Sequence, residues 1–353
     1  MNVLSLFDGM SCGQQALNRS GIKIDNYFAS EIDKYAITVT MANYPETIQL
    51  GSVVNVNGFE LPKIDLLIGG SPCQSFSFAG KRKGMSTKCE TEILTLKHYL
   101  DLKNQGFEFE GQSYLFWEFM RLLKETKPKY FLLENVEMGE KWEKVLSRAI
   151  GVNGIHINSA LVSAQNRKRI YWTNIGMNPA GLFGDLESSI KQPKDKGILL
   201  KDILENDVSE KYFLSEKTID NHIKRNKINK ELNRNFLFEI KSENEKSKIL
   251  LARSGHLDDN YIIHNMQPRS GDPKKGGTGH LTRTDGKTYC LDTWNSNAVE
   301  NNSRIRRLTP LECERLQTVK DNYTNFVSDS QRYKMLGNGW TVDVISHIFS
   351  YIK

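Results

Sequence analysis

Short apolar runs alternate with amphipathic stretches through the first half of the chain. Asn2-Val3-Leu4-Ser5-Leu6-Phe7 predicts a strand, followed by Asp8-Gly9-Met10-Ser11-Cys12-Gly13 and apolar residues at helical spacing through about Ser20. A second strand is predicted over 27–31, a helix over 33–43, a third strand over Gln49–Val54 and a fourth over Ile64–Ile68. Helical spacing returns at Leu115–Leu123, a fifth strand at Tyr130–Leu133, and two more at 155–163 and 170–174. Strands alternating with helices predict an α/β architecture built on a largely parallel sheet.

The pattern weakens after about Asn178. Residues 185–250 are rich in Lys, Asn, Glu and Ser, and 252–302 carry many Gly, Asn and basic residues, including Pro268-Arg269-Ser270-Gly271 and Lys274-Lys275-Gly276-Gly277. Compact patterning resumes at Thr309-Pro310-Leu311-Glu312, where Thr is the expected N-cap and Pro the first helical residue. Residues 335–342 are expected to open a single closing helix that runs through Tyr351. These shifts predict a large α/β domain over 1–177, a smaller loop-rich domain over 178–302, and a return to the first domain over 303–353. The mixed polar stretch 86–112 is expected to be an insertion within the first.

Composition narrows this only a little. The 353 residues carry a net charge of +6, which suits a polyanionic partner without requiring one. The five cysteines, at 12, 73, 89, 290 and 313, are scattered and odd in number and include no Cys-x-x-Cys. Neither a zinc site nor a disulfide framework is indicated, and reduced thiols in an intracellular protein are the expectation. No apolar run is long enough to span a membrane, so no membrane partner is expected.

Candidate chemistry falls where predicted strands end. The glycine turn after the first strand, with Glu31 ending the second about twenty residues on, is how an α/β sheet holds a nucleoside: backbone N–H groups at the turn, a carboxylate for the ribose hydroxyls. The turn lacks a full Gly-x-Gly-x-x-Gly and a phosphate-binding Lys, which favours S-adenosylmethionine over NAD. Gly69-Gly70-Ser71-Pro72-Cys73-Gln74-Ser75 leaves the fourth strand with a thiol that is either a buried structural cysteine or a nucleophile. Phe78–Gly84 follows, glycine-bounded and basic, as either a loop that closes over phosphates or a solvated surface loop. Glu134 ends the fifth strand on the same rim. Alternation along Gln165, Arg167 and Arg169 is expected to point a Gln/Arg/Arg ladder to one face beside that acid.

Together these motifs resemble the cytosine-C5 DNA methyltransferases, in that family's unpermuted order and over nearly the whole chain. Phe7–Gly13 resembles the cofactor motif, Ser71-Pro72-Cys73-Gln74 the nucleophile motif, Glu134-Asn135-Val136 the acid motif and Gln165-x-Arg167-x-Arg169 the arginine motif. Arg307-Leu308-Thr309-Pro310 with Leu316-Gln317 resembles the penultimate motif, and Gly337-Asn338-Gly339 the last. The resemblance implies a Rossmann-like mixed-sheet methyltransferase domain with a smaller target-recognition domain. It further implies S-adenosylmethionine as cofactor, no metal, and double-stranded DNA as substrate for a monomeric enzyme. Phe7, Asp8, Gly9, Met10, Ser11, Cys12, Glu31, Ile32, Ser52, Val53, Asn338, Gly339 and Trp340 would face the cofactor. Cys73 would attack cytosine C6, Glu134 would hold a proton towards N3, Arg169 would bind O2, and Arg167 would orient Glu134 or a phosphate.

Three departures stand out. Ser52 replaces the family's Asp at the end of the third motif, leaving an uncharged acceptor for the adenine amino group. Asp8 and Gly339-Trp340 resemble the animal de novo branch more than the common bacterial one. Cys290-Leu291 stands where the family carries Thr-Leu, so no base-reading residue is carried over. Three alternatives are a methyltransferase acting on tRNA cytosine, a catalytically silent DNA-binding homologue, and a free-nucleotide methylase. The long middle region disfavours the first and third; retention of Cys73, Glu134, Arg167 and Arg169 disfavours the second.

Overall fold

The computed structural model describes residues 1–72, 92–109, 111–180, 185–215, 262–265, 281–283, 287–290, 297–301 and 304–353. Its central sheet takes Asn2–Leu6 (β1), Asn26–Ser30 (β2), Ile48–Gln49 (β3), Leu66–Gly70 (β4), Tyr130–Val136 (β5), Ile155–Asn158 (β6) and, after the short Gln165–Asn166 (β7), Lys168–Thr173 (β8). The strand order is β3-β2-β1-β4-β5-β8-β6. All pairings from β3 to β5 are parallel, and β8 is antiparallel to both of its neighbours. The parallel strands therefore end on one rim. The chain order reverses at β1 and β4, so the crevice outside their carboxyl ends is the place for a ligand.

Helices cover both faces. Along β1, Val3 packs into one core while Leu4 and Leu6 pack into the other, as the two-residue period of a strand requires. Cys12–Arg19 (α1), Lys34–Asn43 (α2) and the C-terminal Pro310–Leu316 (α6), Asp329–Asn338 (α7) and Val342–Phe349 (α8) supply the first core. Leu96–Asn104 (α3), Phe116–Thr126 (α4) and Glu140–Ile150 (α5) supply the second. Helix α3 gives structure to part of the stretch expected to be a polar insertion, burying Leu96, Tyr99 and Leu102.

Helix α6 begins as its sequence predicts. Thr309 caps it, Pro310 occupies the first turn, and Glu312 closes a capping box. The same carboxylate, fully buried, takes a two-pronged ion pair from Arg306 at 2.7 and 2.8 Å and accepts from Glu205 N at 2.9 Å. One acid thus joins the helix cap, the strand Arg304–Arg307 and the segment after residue 200.

The strand expected over 155–163 ends at Asn158, which caps the 3-10 turn Ser159–Leu161, and two further expectations are corrected. The third strand was expected to run to Val54, but it ends at Gln49: Gly51 turns the chain at φ 72°, and Val53–Asn55 form a 3-10 turn. The single closing helix is two, α7 and α8, broken at Gly339-Trp340-Thr341. The break has a physical reason in the buried polar network described below, which claims the carbonyls of 337 and 339.

In the middle region, Met177–Ala180 (β9) pairs with Asp185–Ser188 (β10). Ile262–Asn265 (β11), Leu281–Arg283 (β12), Asn297–Asn301 (β14) and Arg304–Arg307 (β15) form an antiparallel sheet in the order β12-β11-β14-β15. Thr288–Tyr289 (β13) leaves that region to pair in parallel with β7. Among the described residues, no helix is long and apolar enough to cross a membrane.

Candidate active site

The turn between β1 and α1 is bent through three left-handed residues: Phe7 at φ 56°, Gly9 at 59° and Ser11 at 57°. Only glycine adopts this without cost, and each of the other two stores roughly 1–3 kcal/mol that surrounding contacts must offset. Glu31 provides much of that support. Its Oε2 accepts from Gly9 N at 2.7 Å, and its Oε1 accepts from Ile32 N and Asp33 N at 2.7 and 2.8 Å. A carboxylate offers about four acceptor positions, so a ribose hydroxyl can still be received there.

Asp8 shapes the turn as well. Its carboxyl accepts from Tyr27 Oη at 2.7 Å and from Ser11 Oγ. Burial, with a smaller push from the charge of Glu31, raises Asp8 to about 6, against hydrogen bonds from Ser11, Ser5 and Tyr27 that lower it. A raised carboxyl pKa means that stability from this group is fully present below the unfolded value of about 4 and is lost as pH rises through about 6. The loss is about 3 kcal/mol at most. Asp8→Asn keeps an acceptor for Tyr27 and gives a donor to Ser11. It is expected to melt with the parent near pH 4 and above it at pH 8, by 1–3 kcal/mol on this reasoning. Thermal melts at the two pH values check this; a less stable variant at pH 8 refutes it.

The other residues expected at the cofactor divide into two groups. Ile32 is 72% exposed on the rim beside Glu31, and Asn338 is exposed at the end of α7. Ser52 lies at the turn after β3. By contrast, Met10, Cys12 and Val53 are buried in the cores. Burial pushes the Cys12 thiol up to about 12, although a backbone bond from Trp340 works the other way. These three support the turn from behind and do not offer their side chains to the crevice.

Glu134 sits near the end of β5, in register with Gly70 on β4. Arg169 Nε stands 3.0 Å from its Oε1, and Trp340 Nε1 donates to its Oε2 at 3.2 Å. Gly70 makes room for this arrangement: a Cβ there would lie 2.9 Å from Trp340 Nε1 and 3.0 Å from Glu134 Oε2. Arg169 thus reaches the acid, a contact that the family resemblance assigned to Arg167.

The rest of the ladder does something else. Gln165, fully buried, donates to Leu316 O at 2.7 Å and Gln317 Oε1 at 2.8 Å, and Gln317 donates to Leu336 O and Gly339 O. Arg167 donates to Gly337 O at 3.2 Å, Gly339 O at 2.9 Å and Cys290 Sγ at 3.0 Å. Arg167 and Arg169 nonetheless share a neighbour in Cys290 Sγ, and Arg169 also meets the acid. Arg167 is the single residue between β7 and β8. Gln165 and Arg167 brace the turn that carries Trp340, and so bear on Glu134 at one remove.

Cys290 also lies 3.6 Å from Arg169 Nη2. Its neighbour Lys287 donates to the carbonyls of Ala160 at 3.1 Å, Ser163 at 3.3 Å and Ile198. Residues 287–290 thus strap the middle region to the arginine motif.

Cys73 and the basic stretch 78–84 lie outside the described residues, which stop at Pro72 on this side. The segment leading to Cys73 is anchored: buried Asn135 donates to Ser71 Oγ at 3.1 Å and to Ser71 O at 3.3 Å. Asn135, Gly70, Gln317 and Thr341 were not singled out from the sequence. Asn135 and Gln317 stood within the quoted motifs, where a buried amide beside a functional residue was the available signal. Nothing local marked Gly70 or Thr341, whose importance depends on residues distant in the chain. Among the described residues, no group of three or more His, Cys, Asp or Glu is placed to hold a metal ion.

The model of the family described as C-5 cytosine-specific DNA methylase matches residues 1–97 and 102–353. The orphan methyltransferase M.SPRI of Bacillus phage SPR is 28% identical, over 99% of this chain and 96% of that protein. The type II methyltransferase M1.ScrFI of Lactococcus lactis subsp. cremoris is 27% identical, over 98% and 76%. Among solved structures, Entamoeba histolytica methyltransferase EhMeth has a TM-score of 0.60 at 16% identity, covering 99% of this chain and 97% of its own. The S. pombe Dnmt2 methyltransferase has a TM-score of 0.57 at 16% identity, with the same coverage. These two likenesses concern the fold, a Rossmann-like mixed sheet. With strand order, rim acid and family match all in agreement, the chain belongs to the C-5 cytosine-specific DNA methylases, enzymes that methylate DNA cytosine with S-adenosylmethionine.

Proposed function

We propose that this enzyme methylates C5 of a cytosine turned out of double-stranded DNA, through a covalent bond between Cys73 and C6. The observation that carries the reading is the placement of Glu134. It lies at the crevice rim, held by Arg169 and Trp340, on the strand next to the one that leads to Cys73.

Carbon 5 of cytosine is a poor nucleophile until electron density is pushed into the ring. Attack of the Cys73 thiolate on C6 does this, and Glu134 holds a proton at N3 so that the charge created is neutralised. Arg169 is positioned to bind O2 of the same base. S-adenosylmethionine supplies the methyl group when bound. Loss of the C5 proton then expels Cys73 and restores the ring. The residues present fit that cofactor: a carboxylate at Glu31 for the ribose and the exposed apolar side chain of Ile32 for the adenine, both on the rim. This chemistry calls on no metal.

The base cannot react while stacked, and turning it out costs a few kcal/mol. We assign residues 178–302 to recognition of the target sequence and 1–177 with 303–353 to chemistry. Contacts from the recognition residues and the basic 78–84 stretch would offset the cost of flipping and make binding strongly salt-dependent. The enzyme would act as a monomer inside the cell, alone or beside a restriction enzyme.

Bisulfite sequencing of DNA from a host expressing the protein tests the reading directly. Cytosines protected within one short sequence are expected. Unmethylated DNA alongside robust methyl labelling of tRNA would overturn it.

A further inference from the structure

We propose that Trp340 is the positioning residue for Glu134, fixing the acid's carboxyl from the opposite side to Arg169; the proposal rests on the reading of Glu134 given above. Trp340 lies in the turn between α7 and α8, far from β5 in sequence, yet its indole N–H meets Glu134 Oε2 at 3.2 Å. Three independent features hold it there.

First, its turn is clamped. Gly339 O accepts from both Arg167 Nη2 at 2.9 Å and Gln317 Nε2 at 3.1 Å, and Gly337 O accepts from Arg167. Thr341, buried one residue on, donates to Gln317 Oε1 at 2.8 Å and accepts from Ser159 Oγ at 2.9 Å and Gln165 Nε2 at 3.3 Å. Such a network, with its members satisfied, rigidifies what it holds. Second, Gly70 leaves the indole its place: any side chain there would meet both the indole nitrogen and the Glu134 oxygen at about 3 Å. Third, the backbone of Trp340 reaches Cys12 in the cofactor turn, and Gly339 packs so close to Met10 that a Cβ would approach its Cε to 2.9 Å. One residue therefore spans the cofactor turn and the acid.

An indole N–H is a donor and nothing else, so the Oε2 atom it meets is committed as an acceptor. With the Arg169 guanidinium in ion-pair contact at Oε1, both carboxyl oxygens are engaged, one by a charge and one by a hydrogen bond. Removing either contact leaves the acid free to rotate about its last torsion, which is broad and roughly two-fold for Glu.

The test is a double-mutant cycle of Trp340→Phe with Glu134→Gln. Single-turnover transfer of tritiated methyl from S-adenosylmethionine to amplified bacterial genomic DNA gives the rates. Adduct formation on the same DNA made with 5-fluorocytosine gives a second readout, and equilibrium dialysis gives cofactor affinity. In the Glu134 background, Trp340→Phe should slow transfer and adduct formation by about 10- to 100-fold, the scale of one hydrogen bond to a charged group. In the Glu134→Gln background it should change them by less than about threefold, with cofactor affinity within about threefold throughout. Gly70→Ala, whose Cβ would lie 2.9 Å from the indole nitrogen and push it off Glu134, should show the same dependence on background and serves if Trp340→Phe fails to fold. Equal losses in both backgrounds, or a loss that follows weakened cofactor binding, would overturn the proposal. A fully active Glu134→Gln enzyme would instead bring down the acid assignment itself.

Discussion

Cys73→Ala is expected to abolish both methyl transfer and the covalent adduct on DNA carrying 5-fluorocytosine, a loss on the order of 10⁴-fold or more. Fluorine at C5 blocks the proton loss that would otherwise release the enzyme, so a nucleophilic thiol is caught as a complex that survives denaturation. Cys73 follows Gly70 by three residues, at most about 11 Å of chain, and Gly70 is in register with Glu134. Ser71 between them is fixed by Asn135. Of the described thiols near this rim, Cys12 is buried and pushed up to about 12, so it contributes almost no thiolate at neutral pH, while Cys290 is held against Arg167 at 3.0 Å and Arg169 at 3.6 Å. Cys73→Ala should keep the parent's melting temperature and its affinity for S-adenosylmethionine, since neither rests on the thiol. An adduct of undiminished yield in the variant would remove Cys73 from the mechanism.

How far the sequence could be read depends on the range of the interaction. The strands of the parallel sheet and the cap of α6 are specified by neighbours a few residues away, and they stand where the pattern puts them. Gly51 shows the limit of such reading: an apolar run through Val54 looked like a strand, and one left-handed glycine ended it. Placement was legible where a residue stands at the carboxyl end of its own strand, as Glu31 and Glu134 do. It was not legible where function depends on what the chain later brings alongside. The family resemblance implies that Arg167 orients the acid or a phosphate. Its true partners, Gly337 O and Gly339 O, are 170 and 172 residues away. Met10 and Cys12 share a motif with ligand-facing residues but point into the core, since a tight turn must bury some side chains to present its backbone.

Glu134→Gln is expected to slow methyl transfer by about 10²- to 10⁴-fold, the range of a positioned general acid, with cofactor affinity changed by less than about threefold. Two separate losses combine here. The amide cannot shuttle a proton to N3, so the charge that develops when Cys73 attacks C6 is no longer neutralised. The amide also fits its own site badly. Glu134 Oε2 accepts from Trp340 Nε1, and Oε1 stands 3.0 Å from the positive charge of Arg169. Glutamine has one oxygen and one NH2, so whichever way it turns, its NH2 confronts either the indole donor or that charge, at a cost of about 1–3 kcal/mol where the pair is withdrawn from water. The side chain is then expected to swing away, which predicts weaker packing of Trp340 and a change in its fluorescence. Rate and fluorescence should therefore move together in this variant, whereas Cys73→Ala should leave the fluorescence alone. A Glu134→Gln enzyme within about threefold of the parent rate would show that N3 is neutralised by some other group, for which Arg169 is the nearest charged candidate.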